Sequence, residues 1–96
     1  MRKSNDQKLG EVIQELLKLY QLEDKLDEVK LMHSWKEVVG EMIANHTKDL
    51  YIRKNTLYVI LDSPALKNEL SYSRSQIRDS LNEAVGKEVV TEVVFR

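Results

Sequence analysis

A chain of 96 residues, 42% hydrophobic and 32% charged, carries enough apolar surface for one packed core and little to spare. Its 15 basic residues stand against 16 acidic ones, a formal net charge of −1, so the basic excess of a dedicated nucleic-acid binder is missing. The absence of cysteine excludes disulfides, thiol catalysis and zinc sites built on thiolates.

The start, Met1 to Asp6, is polar, with no apolar run of a signal peptide behind it. No stretch approaches the ~20 apolar residues of a membrane span, so the expected location is cytoplasmic. Ser4 with Gln7 three residues later reads as a capping box. Leu9, Val12, Ile13, Leu16, Leu17 and Tyr20 follow at helical spacing, opposite Glu11, Gln14, Glu15 and Lys18. This pattern predicts an amphipathic helix over 5–20, laid on a sheet, with residues 1–5 flexible. After a polar break at Gln21–Asp24, apolar residues return at Leu26, Val29, Met32, Trp35, Val39, Met42 and Ile43. Steps of three and four predict one helix over 24–46, with an irregularity near Lys30–Leu31. Gly40 falls inside it. A mid-helix glycine costs up to about 1 kcal/mol relative to alanine, and the expected compensation is close approach of another element. Trp35, the only tryptophan, is expected to be buried near Leu57 or Val59.

Leu50 and Ile52 alternate with Tyr51 and Arg53, and Leu57, Val59 and Leu61 with Tyr58, Ile60 and Asp62. The two runs predict a hairpin, strands 48–53 and 56–62, turning at Lys54-Asn55 because asparagine tolerates positive φ. That turn places Ile52 opposite Leu57 and Leu50 opposite Val59 on the core face, and Tyr51 opposite Tyr58 on the other. Ser63-Pro64 is a helix start, cap followed by proline. Leu66, Leu70, Ile77, Leu81 and Val85 carry that helix to about 85, where Gly86 ends it. Val89 to Phe95, rich in β-branched residues, is a third strand. The order is α-α-β-β-α-β in one domain over 1–96, an α+β fold. Its expected core includes Trp35, Gly40, Leu57, Val59, Leu70 and Leu81.

Chemistry is sparse. His33 and His46 have no partners at metal-site spacing such as H-E-x-x-H. There is no G-x-S-x-G elbow, and the three isolated glycines build no phosphate-cradling loop. Neither catalysis nor a cofactor is expected. Two surface groups stand out. Lys67, Arg74 and Arg78 lie on one side of the third helix, and Lys48, Arg53 and Lys54 add positive charge at the hairpin. Such groups can contact phosphates; the plainer reading is a solvated face. Tyr51, Tyr58 and Ile60 share the outer face of the hairpin, where exposed aromatics stack bases or anchor a protein. The plainer reading there is that the first helix covers them. A free sheet edge also leaves pairing with a second copy open.

The ordered run Trp35-Lys36-Glu37-Val38-Val39-Gly40, Ile43-Ala44-Asn45-His46-Thr47, Leu57-Tyr58-Val59, Ala65 with Glu69-Leu70, and Leu81-Asn82 resembles the DciA family from about Leu9 to Arg96. The resemblance implies a KH-like fold, a bacterial replication protein that binds the replicative DNA helicase and assists its loading, and an ability to bind DNA. It implies no enzymatic activity. Two departures stand out: Leu66 occupies a position that is commonly tryptophan in the family, and no flexible tail follows Arg96. The G-x-x-G loop of nucleic-acid-binding KH domains is also missing, so KH-like shape does not carry KH-style nucleotide binding with it. The alternative reading is a KH-like module that binds DNA or RNA without the helicase.

Overall fold

The computed structural model describes the backbone of residues 2–19 and 22–96, and the side chains of 9–16, 18–19 and 22–96. The hairpin sets the architecture. Lys54 and Asn55 both adopt positive φ, 52° and 61°, the twin left-handed geometry that matches the twist of a two-residue hairpin. Strand β1 (Thr47–Arg53) therefore pairs antiparallel with β2 (Thr56–Leu61). Ile52 faces Leu57, Leu50 faces Val59 and Tyr51 faces Tyr58, the expected register. Lys48 is the extra residue of a bulge between Thr47 and Asp49. Strand β3 (Glu92–Phe95) joins β2 in parallel, giving the sheet order β1-β2-β3.

Helices pack on one face of this sheet, the two-layer solution for an α+β domain. They are α2 (Leu22–His33), α3 (Trp35–Val39), α4 (Glu41–Asn45), α5 (Pro64–Leu70) and α6 (Arg74–Val85), with a 3₁₀ turn over Ser71–Ser73. Leu57, Val59, Val93 and Phe95 from the sheet meet Leu31, Trp35, Leu66, Leu70, Ile77, Leu81 and Val90 in one buried cluster. Trp35 is 3% exposed. Its ring lies 6.5 Å from that of Phe95, and its Nε1–H donates to Thr47 Oγ1 (3.0 Å). The Thr47 hydroxyl in turn donates to the Ile43 carbonyl (2.8 Å). The α5 start is as expected: Ser63 Oγ accepts from the Leu66 N–H and Pro64 is the first helical residue.

Four sequence expectations are corrected. The single helix over 24–46 is three helices. At Ser34 the hydroxyl donates to the Lys30 carbonyl (3.0 Å) while the backbone N–H is shared between Lys30 and Leu31, a competition that interrupts helices. Gly40 separates α3 from α4 at φ 93°, ψ 167°. It is exposed, and a Cβ there would meet nothing within 4 Å, so the glycine serves a backbone angle closed to other residues and not a tight contact in the core. The helix over 64–85 is broken by the 3₁₀ turn, where Ser71 Oγ donates to the Asn68 carbonyl (2.5 Å). The third strand starts at Glu92 instead of Val89, because the Val89 and Val90 amides are taken by Asn82 Oδ1 (2.9 and 3.0 Å) and the Val90 carbonyl by Asn82 Nδ2 (2.8 Å).

Helix α1 (Arg2–Leu19) does not lie on the sheet. It meets α2, the next helix in the chain, and Leu9, Val12, Ile13, Leu16 and Leu19 are exposed. The result is an elongated molecule, 60 × 25 × 21 Å, with a radius of gyration of 16.7 Å, against about 12–13 Å for a compact domain of this length. Ser4 lies inside α1, so it does not cap it. The side chains of Ser4, Gln7, Leu17 and Tyr20, and the break at Gln21, lie outside the described residues. No helix among the described residues is long and apolar enough to cross a membrane.

Candidate functional site

Because β1 and β2 alternate, the residues that do not point to the core form a second face. Tyr51, Tyr58 and Val94 make one row across the three strands. The next row holds Asp49, Ile60 and Arg96: the Arg96 N–H donates to the Val59 carbonyl, and its carbonyl accepts from the Leu61 N–H. The two tyrosine rings are stacked, 4.9 Å apart and 15° from parallel. The guanidinium of Arg96 sits 4.7 Å from the Tyr58 ring centre, and that of Arg53 is 5.9 Å from Tyr51. These are cation–π distances. An Arg96 Nη1–H also reaches the Tyr51 hydroxyl at 3.5 Å. Tyr51, Tyr58, Ile60 and Val94 are all half-buried although α1 does not cover them; the rings and guanidinium shield one another. A base stacking on Tyr58 would have to displace Arg96.

Val94 carries this face round to the edge of the sheet. In a parallel ladder, alternate residues direct both N–H and C=O to the same neighbour. Arg96 bonds to β2, so Val93 and Phe95 direct their backbone groups away from it, to the free edge. Two adjoining hollows of about 340 and 360 Å³ lie along that edge. One is lined by Arg74, Ser75, Arg78, Thr91, Glu92 and Val93, the other by Pro64, Lys67, Asn68, Ser71, Arg74, Val94 and Phe95. Arg74 borders both. Lys67 on α5 and Arg74 and Arg78 on α6 thus line one cleft, against the single acidic residue Glu92. Arg74 Nε donates to the Ser71 carbonyl (3.1 Å). Arg78 is partly neutralised, with Nε on Asp79 (2.9 Å) and Nη1 on the Thr91 carbonyl (3.5 Å).

The other cations are placed elsewhere. Arg53 belongs to the tyrosine face and Lys54 to the hairpin tip. Lys48 is in the bulge, 3.8 Å from Asp62. Asp62 also accepts from His46 Nδ1 (2.7 Å). That hydrogen bond, followed by the charges of His46 and Lys48, holds the Asp62 carboxyl below its ordinary value. At the other end of the sheet Lys87 pairs with Asp27 (2.6 Å), which raises the ammonium's pKa. Trp35, Leu57, Val59, Leu70 and Leu81 lie in the core below the site; Gly40 does not. Among the described residues no three of His, Cys, Asp and Glu are grouped to hold a metal ion.

Sequence reading had missed Arg96 and Val94 as site residues, although strict alternation from the core residues Val93 and Phe95 puts both on the tyrosine face. Nothing in the sequence gives Asn82 a role. The structure makes it the clamp that aims the chain into β3.

Residues 8–95 match the model of a family described as Dna[CI] antecedent, DciA. The chain is 31% identical over 84 residues to a UPF0232 protein of Mycobacterium tuberculosis, covering 88% of this chain and 45% of that one. It is 32% identical over 85 residues to a protein of Mycolicibacterium smegmatis described as a UPF0232 protein in the recF-gyrB intergenic region, covering 88% and 44%. A UPF0232 protein of Corynebacterium glutamicum is 35% identical over 60 residues, covering 62% and 34%. The chain thus spans less than half the length of each of these relatives.

Proposed function

The chain belongs to the DciA family, and from that premise we propose that it is a non-enzymatic adaptor in DNA replication, which binds the replicative DNA helicase and assists its loading onto DNA. Family membership is the observation that carries this reading. Two features of the surface support it. The Tyr51–Tyr58–Val94 face is apolar, half-open and rimmed by Arg53 and Arg96, the aromatic-and-arginine makeup of protein-binding hot spots. Its ring faces are already occupied by each other and by Arg96, which suits a protein partner better than stacked bases.

The experiment is a titration against the replicative helicase of the same organism at low and moderate salt. Binding that survives moderate salt and falls at least tenfold in a Tyr51→Ser/Tyr58→Ser variant, with far-UV circular dichroism unchanged, is the expected result. No binding at either salt refutes the helicase reading. Binding unaffected by the double substitution removes the partner from this face.

DNA is a second partner, proposed for the cleft along β3 because Lys67, Arg74 and Arg78 converge there beside free backbone groups. Phosphate contacts predict salt-sensitive binding, with the log–log slope falling by about one for each cation removed. Unchanged DNA affinity in a Lys67→Ala/Arg74→Ala/Arg78→Ala variant refutes this site. DNA or RNA binding without any helicase binding would instead favour an independent nucleic-acid module.

A further inference from the structure

The strongest unexplained feature of the molecule is the apolar arm. Leu9, Val12, Ile13, Leu16 and Leu19 fall within about 120° of the α1 surface, at 3.6 residues per turn. They are 61%, 51%, 49%, 45% and 73% exposed. Leu22, Leu26 and Val29 repeat the pattern on α2, at 43–47% exposure. Singly exposed aliphatic side chains need no account, but five on one face of a single helix do. A helix of this length is marginal in water unless its apolar face is packed, and Gly10 near the middle of α1 lowers its intrinsic stability further.

We propose that a second copy of this chain covers the arm, with two α1 helices pairing antiparallel about a two-fold axis. The spacing favours a helix as the occupant. Leu9, Val12, Leu16 and Leu19 follow steps of three, four and three, the a/d spacing of a helix pair, with Ile13 beside them. The area fits as well. The five α1 side chains at these exposures offer roughly 500 Å² on each copy, about 1,000 Å² in all, the lower end of specific interfaces. An isologous pairing lets each stripe cover the other. The direction follows from the shape. Paired helices lie about 8–10 Å apart, while the body at the C-terminal end of α1 is more than 20 Å across. Parallel arms would press two bodies together; antiparallel arms place them at opposite ends. Leu9 then faces Leu19 of the partner, and Val12 faces Leu16.

The test is sedimentation equilibrium of the full chain over about 5–200 μM. The expected mass is twice 11.2 kDa at the upper end, falling on dilution, and a Val12→Asp/Leu16→Asp variant stays at 11.2 kDa throughout. Both positions are exposed within one copy, so the variant's core should unfold at an unchanged urea midpoint once both proteins are monomeric. The chain has no cysteine, so introduced thiols report direction cleanly. Leu9→Cys/Leu19→Cys should yield a disulfide-linked dimer. Leu9→Cys alone should not, its partner copy lying about 15 Å away at 1.5 Å per residue. Wild-type protein that remains monomeric at 200 μM overturns the proposal, whether or not the helicase occupies the arm. So does a variant whose unfolding midpoint drops with no change in mass, since the stripe is then covered within its own chain. Crosslinking of the single Leu9→Cys variant overturns the antiparallel arrangement.

Discussion

Replacing Trp35 by alanine tests the core and the site's foundation together. The indole is 3% exposed; it contacts Phe95 and donates to Thr47. Burying roughly 150–250 Å² of aromatic surface at about 25 cal/mol/Å² is worth about 4–6 kcal/mol. The cavity adds to that loss and relaxation of the neighbours subtracts from it. Measured tryptophan and phenylalanine truncations centre on about 3–5 kcal/mol. A domain of this size is stable by roughly 5–14 kcal/mol, so the variant keeps little margin, and its Tm falls by roughly 12–40 °C at 4–8 °C per kcal/mol. Urea unfolding should be followed by far-UV circular dichroism, because the substitution removes the only tryptophan. Thr47→Val probes the polar contact separately. It leaves the buried indole N–H without an acceptor, at a cost of about 1–3 kcal/mol. Trp35→Phe removes that donor, so the two substitutions should combine to less than their sum. A loss below about 1 kcal/mol for Trp35→Ala would refute the reasoning and make Trp35 a surface anchor and not a core residue.

Gly40→Ala should cost about 1–3 kcal/mol through the φ 93°, ψ 167° backbone alone, measured as a drop in urea midpoint; no loss would show that α3 and α4 can re-form as one helix. Asn82→Ala removes three hydrogen bonds to Val89 and Val90 and should cost about 2–3 kcal/mol. It should also speed amide exchange across β3 more than across β1. The Asp62 carboxyl is lowered from 3.8 by the His46 hydrogen bond, so its folded-state pKa lies below the unfolded one. Its contribution is therefore complete above about pH 4 and is lost as pH falls through 3.8 toward the folded value. Asp62→Asn should flatten that part of the acid-unfolding curve, measured as urea midpoints between about pH 5 and 2.5, and an unchanged curve would exclude the linkage.

The parts of the fold legible in sequence are those where one pattern has one backbone solution. Two alternating runs separated by Lys54-Asn55 admit a single register, and the tyrosine pair follows from it. Ser63-Pro64 and Gly86 mark helix ends through geometry that few other sites accept. Of the helix breaks, the one at Ser34 left a trace, the irregularity near Lys30–Leu31; those at Gly40 and Ser71 were not legible. Steps of three and four report which side of the chain is apolar, and that side stays continuous across the breaks at Gly40 and Ser71. The interruptions come from serine hydroxyls competing for carbonyls and from one glycine angle, neither of which disturbs the period. The shortened β3 has a similar origin. Its β-branched residues favour a strand from Val89, but Asn82 takes the hydrogen bonds that a ladder would need.

The site was half legible for a related reason. Lys67, Arg74 and Arg78 shared a side on a continuous helix wheel, but that wheel does not exist. In the structure the three line the hollows along the free edge of β3. Lys48 entered the same group by proximity in sequence, and its carboxylate partner Asp62 becomes adjacent only when β1 and β2 pair. This geometry separates two surfaces that differ in physics. The cleft is cationic and lined by free backbone groups, so binding there must weaken steeply with salt. The tyrosine face is half-buried and apolar, so a partner held there is expected to bind through apolar area and to lose less affinity in salt than one held in the cleft. The two are joined at Val94, whose side chain lies in the tyrosine row and borders the cleft. Val94→Lys therefore distinguishes a shared footprint from two independent ones. It places a charge in the apolar row while adding a cation beside Arg74. Loss of helicase binding with DNA binding retained or strengthened identifies two footprints. Loss of both would mean that one partner spans the edge, and that the salt dependence of the cleft cannot be assigned to DNA alone.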